Sequence, residues 1–245
     1  MKLPVFVMTA ALLVTSFAGA AEGEEDRASL RTQLGAEYLK RGQYAVALDE
    51  VNKALAVNAS YAPAHNVMAL IHAELGEDEA ARQSFARAVQ LSPNDADINH
   101  NYGWYLCQKG QYAEGIQLLL ATQKNALYST PDKSLLAAGQ CALKSGDEAN
   151  ARIYFERALR IRPDNLAARA KLVEYGMRTK DLALAKRYYS ELQRLAPASA
   201  ELLWLGIQLE HQAGNKESEN KLAEQLRKKF PDSQEMARLS SGSYD

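Results

Sequence analysis

The chain has 245 residues, of which 47% are hydrophobic and 24% charged, and its formal net charge is −1 at pH 7. These values describe an ordinary soluble globular protein that is long enough to bury a substantial core. A nearly neutral chain has no basic field to attract nucleic acid, which argues against nucleic-acid binding.

Residues 1–20 have the three-part pattern of a secretory signal peptide. Lys2 gives a positive start, Val5–Val14 is largely apolar, and Ala18–Ala20 is a small-residue cleavage pattern. The segment is too short and too weakly apolar for a good membrane span. We expect cleavage directly after it or one residue later, with residues 21–27 as an acidic, flexible start. The alternative is an uncleaved amino-terminal anchor. The sequence offers no cysteine near the cleavage site that could carry a lipid.

The rest of the chain consists of six copies of one pattern, with starts at Ala28, Ala62, Ala96, Asp132, Leu166 and Ala200. Four of the five intervals are 34 residues and the third is 36. Each copy contains two amphipathic helical patterns joined by a short turn, which is typical of the tetratricopeptide repeat. We therefore predict an all-α, right-handed superhelical solenoid with repeats at 28–61, 62–95, 96–131, 132–165, 166–199 and 200–231.

Three positions in each repeat support this alignment. The predicted turn residues are Gly42, Gly76, Gly110, Gly146, Lys180 and Gly214. Small residues are expected where two helices cross, because they let the backbones approach. One such position lies in the second helix of each repeat, and in repeat order it holds Ala47, Ala81, Gly115, Ala151, Ala185 and Glu219. A larger residue is expected to fill the gap towards the next repeat: Val51, Phe85, Leu119, Phe155, Tyr189 and Ala223.

The third and the sixth repeat depart from this pattern. Asn125–Pro131 replaces the normal closure of the third repeat, and we interpret it as a local irregularity because the repeat phase resumes at once. Repeat six has Glu219 and Ala223 at the two packing positions, as expected of a polar cap that faces solvent on one side. Residues 232–245 are predicted to form a short polar tail, partly disordered.

The sequence contains no constellation for catalysis and implies no cofactor. It has no glycine-rich phosphate loop, no GxSxG and no HExxH motif. His65 and His72 occupy repeat positions usually filled by core aromatic residues, and no third ligand accompanies them at metal-binding spacing. Packing explains them better than a metal site, so we predict neither an enzyme nor a small-molecule or metal site.

The two cysteines of the chain, Cys107 and Cys141, lie in the first helices of adjacent repeats. Those helices are expected to lie side by side, and an even cysteine count in an exported protein makes a disulfide reasonable. The alternative is two buried free thiols that behave as small hydrophobic side chains.

Protein binding is the expected activity of a solenoid whose first helices line the inside of its curve. The inward positions carry aromatic, amide and apolar groups, which suit a protein–protein contact. Leu136, Glu174 and Gln208 are among them, and we take as candidate partner-binding residues Asn66, Leu70, His100, Trp104, Gln140 and Trp204. The alternative for Trp104 and Trp204 is that they fill gaps between repeats.

Two segments give a more specific resemblance. Asn101–Cys107 with Lys109–Tyr112, and Ala138–Leu143 with Gly146-Asp147, resemble consecutive repeats of the type IV pilus biogenesis and stability proteins, the PilW/PilF pilotin family. Leu34-Gly35, Tyr38 and the closing Phe230–Ser233 also match, and the resemblance covers about residues 28–245.

The resemblance implies a periplasmic protein, held at the outer membrane, that promotes assembly of the secretin ring through which the pilus leaves the cell. Members of that family are typically lipoproteins, so the missing lipid-attachment cysteine leaves only a peripheral association with the outer membrane. The alternative function is a general periplasmic adaptor for another envelope complex, such as cell-wall or cytochrome assembly enzymes.

Overall fold

The computed structural model describes residues 12–244, with side chains from residue 23 onward. Every regular element in this range is helical, which confirms the predicted all-α class. The α-helices are α1 (Leu12–Lys40), α2 (Tyr44–Val57), α3 (Ala62–Glu74), α4 (Asp78–Leu91), α5 (Ala96–Gln108), α6 (Tyr112–Ala121), α7 (Pro131–Ser145), α8 (Glu148–Ile161), α9 (Leu166–Arg178), α10 (Leu182–Leu195), α11 (Ala200–Gln212), α12 (Lys216–Lys229) and α13 (Gln234–Ser241). A short 3₁₀ helix, Thr122–Lys124, follows α6.

The turn between the two helices of each repeat depends on one residue in the left-handed conformation. The five predicted turn glycines have φ values between 70° and 84°. Glycine adopts such values without the steric cost that a Cβ atom brings. Repeat five makes the same turn with Lys180, at φ 62°. The turn positions predicted from the sequence are therefore the ones at which the helices reverse.

The small and large packing positions also lie where the repeat alignment predicts. The crossing alanines Ala47, Ala81, Ala151 and Ala185 are fully buried. Fully buried side chains at the larger position are Val51, Phe85, Leu119 and Phe155, and Tyr189 is 5% exposed. Burial raises the pKa of Tyr189 to about 12.

The chain divides into two compact units. The first contains the chain up to Lys109 together with Ala121–Leu127, and the second contains Gly110–Leu120 and the chain from Tyr128 onward. In the first unit, α1 packs on α2 and α3 on α4, while α5 lies against both α3 and α4. In the second unit, α7–α8, α9–α10 and α11–α12 form successive pairs. Our interpretation of the linker at 125–131 as a local irregularity did not predict this division.

The two ends of the repeat array differ from the prediction. Residues 21–27, predicted to be flexible, continue the helix α1 in the full-length chain. The tail, predicted to be polar and partly disordered, contains α13, whose Met236 and Leu239 pack against the core of the sixth repeat. Their three-residue spacing places both on one helix face, and the Ser233 hydroxyl accepts a hydrogen bond from the Met236 N–H at 3.1 Å and caps the helix.

The predicted signal peptide lies only partly within the described range, because residues 1–11 fall outside it. In the part of the chain that is described, no helix is long and apolar enough to cross a membrane.

Candidate interaction surfaces

The first unit places three of its four candidate residues where a partner could reach them. Leu70 on α3 and His100 and Trp104 on α5 are half-buried. Asn66 is only 8% exposed, and its side-chain oxygen accepts a hydrogen bond from Asn101 Nδ2 at 3.3 Å. Asn66 therefore ties α3 to α5, while the surface available for contact consists of the other three side chains.

In the second unit, the candidate residues differ in accessibility. Gln140 on α7 is half-buried. Trp204 on α11 is only 5% exposed and belongs to the core of the sixth repeat. In this structure the residues that follow α13 cover Trp204, so its predicted role in partner binding stays a prediction.

Those covering residues follow α13 directly. The ring of Tyr244 stacks on Trp204 with centroids 5.7 Å apart, and on His211 with centroids 3.9 Å apart. The Tyr244 hydroxyl donates to Glu219 Oε1 at 3.0 Å. The inner face of repeat six is thus occupied by the protein itself.

An open groove of about 630 Å³ lies beside this covered face. Its floor is mostly apolar and is supplied by α9 and α11, including Leu166, Ala170, Met177, Leu202 and Leu205. Helix α13 adds Glu235 and Arg238 to the lining, and Trp204 contributes to it as well. The predicted inward positions Glu174 and Gln208 both line this groove.

The histidines are held by ordinary hydrogen bonds. His65 Nε2 lies 3.0 Å from the backbone oxygen of Ala59, and His72 Nδ1 lies 2.5 Å from Glu77 Oε2. Both side chains are half-buried rather than part of a closed core. Among the described residues, no group of three or more histidine, cysteine, aspartate or glutamate side chains is placed to hold a metal ion.

Comparison with known proteins identifies the relatives of this chain. One tetratricopeptide-repeat family model matches residues 64–171, and a second, different tetratricopeptide-repeat model matches residues 202–233. The type IV pilus assembly protein PilF of Pseudomonas aeruginosa is 26% identical over 214 residues, which are 87% of this chain and 85% of PilF. The crystal structure of PilW, a widely conserved type IV pilus biogenesis factor, superposes with a TM-score of 0.77 at 29% identity and covers 86% of this chain and 97% of PilW.

The chain is a tetratricopeptide-repeat protein related to PilF and PilW. The structure of Pseudomonas aeruginosa PilF agrees, with a TM-score of 0.74 at 25% identity over 90% of this chain and 99% of the chain in that structure. The resemblance predicted from the third and fourth repeats is confirmed.

The two cysteines of this repeat protein are disulfide-bonded, and neither Cys107 nor Cys141 is free. The predicted disulfide is therefore present in the structure, in place of the two buried thiols that were the alternative. On the chain-entropy account, a crosslink that closes the loop between Cys107 and Cys141 stabilises the fold by roughly 3–4 kcal/mol.

Three side chains that the sequence analysis did not assign to any site meet at the sixth repeat: His211, Glu219 and Tyr244. Glu219 had a visible signal, since it replaces the small residue of the other repeats. It is 5% exposed and accepts hydrogen bonds from His211 Nδ1 at 2.8 Å and Lys216 Nζ at 2.9 Å. Burial alone would raise the pKa of Glu219, but the hydrogen bonds from Lys216, His211 and Tyr244 outweigh it and hold that pKa below its usual value.

Proposed function

We propose that this protein is a non-catalytic, periplasmic tetratricopeptide-repeat scaffold that promotes type IV pilus biogenesis, by assisting assembly of the outer-membrane secretin. The observation that carries the proposal is the similarity to PilF and PilW over more than four-fifths of the chain in both sequence and fold. Both relatives are named for type IV pili.

The surface that we assign to the partner is formed by Leu70, His100 and Trp104 in the first unit. Half-buried tryptophan and leucine side chains lose little conformational entropy on binding and contribute large apolar contact areas. The fixed helices α3 and α5 hold these side chains in place before a partner arrives, which lowers the ordering cost of association. Gln140 is the candidate contact of the second unit.

Deleting the gene and complementing it with variants tests the function. We expect the deletion to remove surface pili and to leave the secretin monomeric on denaturing gels. Trp104→Ala should fail to restore multimers while keeping a normal helix content. Tyr154→Ala is the matched control, because Tyr154 is also a half-buried aromatic residue but lies on a second helix.

The outcomes separate the alternatives. Normal secretin multimers in the deletion strain would contradict the proposal and would favour an adaptor for another envelope complex. Normal multimers with Trp104→Ala would move the partner surface elsewhere. A Trp104→Ala protein that unfolds would show that Trp104 is part of the core, and Leu70→Glu would then test the same surface.

Export is the second part of the proposal. It rests on the three-part pattern of residues 1–20, and we expect the mature chain to begin at Ala21 or Glu22. Mass spectrometry of the protein from the periplasmic fraction measures this start. A chain that keeps Met1 and fractionates with membranes would contradict cleavage.

A further inference from the structure

The chain after α13 is directed back onto the sixth repeat by a defined turn. Gly242 ends α13 with φ at 68°, and its N–H donates to the backbone oxygen of Leu239 at 3.2 Å. The N–H of Ser243 donates to the oxygen of Arg238 at 3.1 Å. This pair of bonds is the Schellman arrangement, which closes a helix and fixes the direction of the next residues. Tyr244 is therefore placed on the inner face of α11 by a specific turn.

The inner face of repeat six contacts three separate parts of Tyr244. Its ring lies against His211 at 3.9 Å between centroids, with an angle of 10° between the planes. Its hydroxyl donates to Glu219 Oε1 at 3.0 Å. Its backbone oxygen accepts a hydrogen bond from Gln208 Nε2 at 2.9 Å. Repeat six therefore contacts the ring, the hydroxyl and the backbone oxygen of the same tyrosine.

The receiving side chains remain held if Tyr244 leaves. Glu219 keeps His211 Nδ1 on one oxygen and Lys216 Nζ on the other. A buried carboxylate is costly unless hydrogen-bonded donors compensate it, and these two donors do so without the tyrosine. The site is thus preorganised, which favours binding of an incoming ligand.

We propose that Trp204, Gln208, His211 and Glu219 form a tyrosine-binding site, which Tyr244 of the chain fills in this structure and which a tyrosine-bearing segment of a partner protein fills by displacing it. Nothing in this proposal depends on the role in pilus biogenesis. A phenylalanine fits the stacking surface but leaves Glu219 without its third donor, so the site selects the hydroxyl. Because His211 and Lys216 already satisfy Glu219, the preference for tyrosine amounts to one hydrogen bond to a charged acceptor, which is about tenfold in binding.

The neighbouring groove explains how a partner segment displaces the tail. A segment tethered within the same chain competes at an effective concentration in the millimolar range. A lone tyrosine from outside therefore competes poorly. A longer partner segment gains further contacts with Met177, Leu202 and Leu205, which line the groove directly beside Trp204. The tail reaches the tyrosine site from α13 and does not fill that groove.

The site is tested with the mature protein and a variant that lacks residues 242–245. The probe is a capped synthetic peptide with the sequence of residues 238–245, used beside a second peptide with phenylalanine in place of the tyrosine. Binding is followed by NMR, through the side-chain amide of Gln208 and the ring protons of Trp204. We expect the shortened chain to bind the tyrosine peptide at least about tenfold more tightly than the full chain binds it. The shortened chain should also bind the tyrosine peptide at least about tenfold more tightly than it binds the phenylalanine peptide.

Two variants locate the binding. Glu219→Gln in the shortened chain should weaken binding of the tyrosine peptide by about tenfold, since a neutral amide replaces the charged acceptor. Glu217→Gln is the matched control on the same helix, with a side chain that is 79% exposed, and should leave binding unchanged. Equal binding of both peptides, equal binding by the full and shortened chains, or no binding at all would overturn the proposal. If shortening the chain disorders α13, Tyr244→Ala in the full chain replaces it and carries the same expectations.

Discussion

Gly139 on α7 is the position where one added methyl group should be felt most directly. A Cβ atom built on Gly139 would lie 2.3 Å from Cε1 of Phe155, and 2.6 and 2.9 Å from two further atoms of the same ring. Carbon atoms in contact are normally about 3.5–4.0 Å apart. Phe155 is fully buried, and because side chains in protein cores are close-packed, its ring has little space into which to move. Gly139→Ala therefore either displaces the ring of Phe155 or moves α7 and α8 apart.

The size of the effect follows from two opposing contributions. Overpacking a well-packed core costs about 1–3 kcal/mol, and three ring atoms placed more than half an ångström too close put Gly139→Ala at the upper end. Alanine in place of glycine within a helix returns up to about 1 kcal/mol. We expect a net loss of about 2 kcal/mol in the free energy of unfolding, and a larger loss for Gly139→Leu.

Urea denaturation followed by circular dichroism measures this loss. Gly23→Ala is the matched control, because Gly23 also lies in a helix but has nothing within 4 Å of an added Cβ, so it should not destabilise the chain. In the double variant Gly139→Ala/Phe155→Leu the smaller side chain should relieve the clash, giving a favourable coupling of about 1–3 kcal/mol. An unchanged stability of the Gly139→Ala variant would refute the close contact. A double variant whose loss of stability equals the sum of the losses in the two single variants would refute it as well.

Three further predictions concern the turn, the disulfide and the last repeat. Lys180→Gly should raise the free energy of unfolding by about 1 kcal/mol, since the left-handed turn costs a lysine but not a glycine; an unchanged denaturation midpoint would contradict this. Replacing Cys107 and Cys141 by alanine should cost roughly 3–4 kcal/mol, and the unmodified protein, once exported as proposed, should show no reactive thiol when denatured without reductant. Because the pKa of Glu219 is lowered in the folded state, its contribution to stability is present above the usual glutamate value of about 4.3 and is lost as the pH falls below it. The fluorescence emission of Trp204, measured in a Trp104→Phe chain, should therefore change as the pH falls through this range. Glu219→Gln should remove that change.

The repeats were predictable because each depends on residues at fixed spacings. Ala151 and Phe155 occupy the small and the large packing position of the fourth repeat, and both are fully buried as the tetratricopeptide pattern predicts. Lys180 was placed correctly at a turn although it is not glycine, because the positions on either side kept the repeat phase. The predicted disulfide likewise followed from the helices on which the cysteines lie.

The covered face of the sixth repeat was not predictable in the same way. Trp204 occupies an inward position of the repeat, and the repeat pattern contains no information about a segment that lies outside it. Tyr244 reaches Trp204 through the Gly242 turn, a contact between residues 40 positions apart with no periodic signal. Glu219 was the available clue, because a carboxylate at a packing position requires donors that the repeat pattern does not supply.

The disulfide and the pairing of the helices have a consequence for how the chain folds. Within each unit the packed helices are neighbours along the chain or nearly so, and such local contacts favour rapid folding, because little loop entropy is lost before they form. With only two cysteines in the chain, oxidation has one possible intramolecular product. The slow reshuffling of mispaired bridges that limits the folding of many exported proteins has no counterpart within a single molecule of this protein. A repeat can therefore form as soon as its own helices are available, and formation of the single crosslink need not wait for mispaired bridges to rearrange.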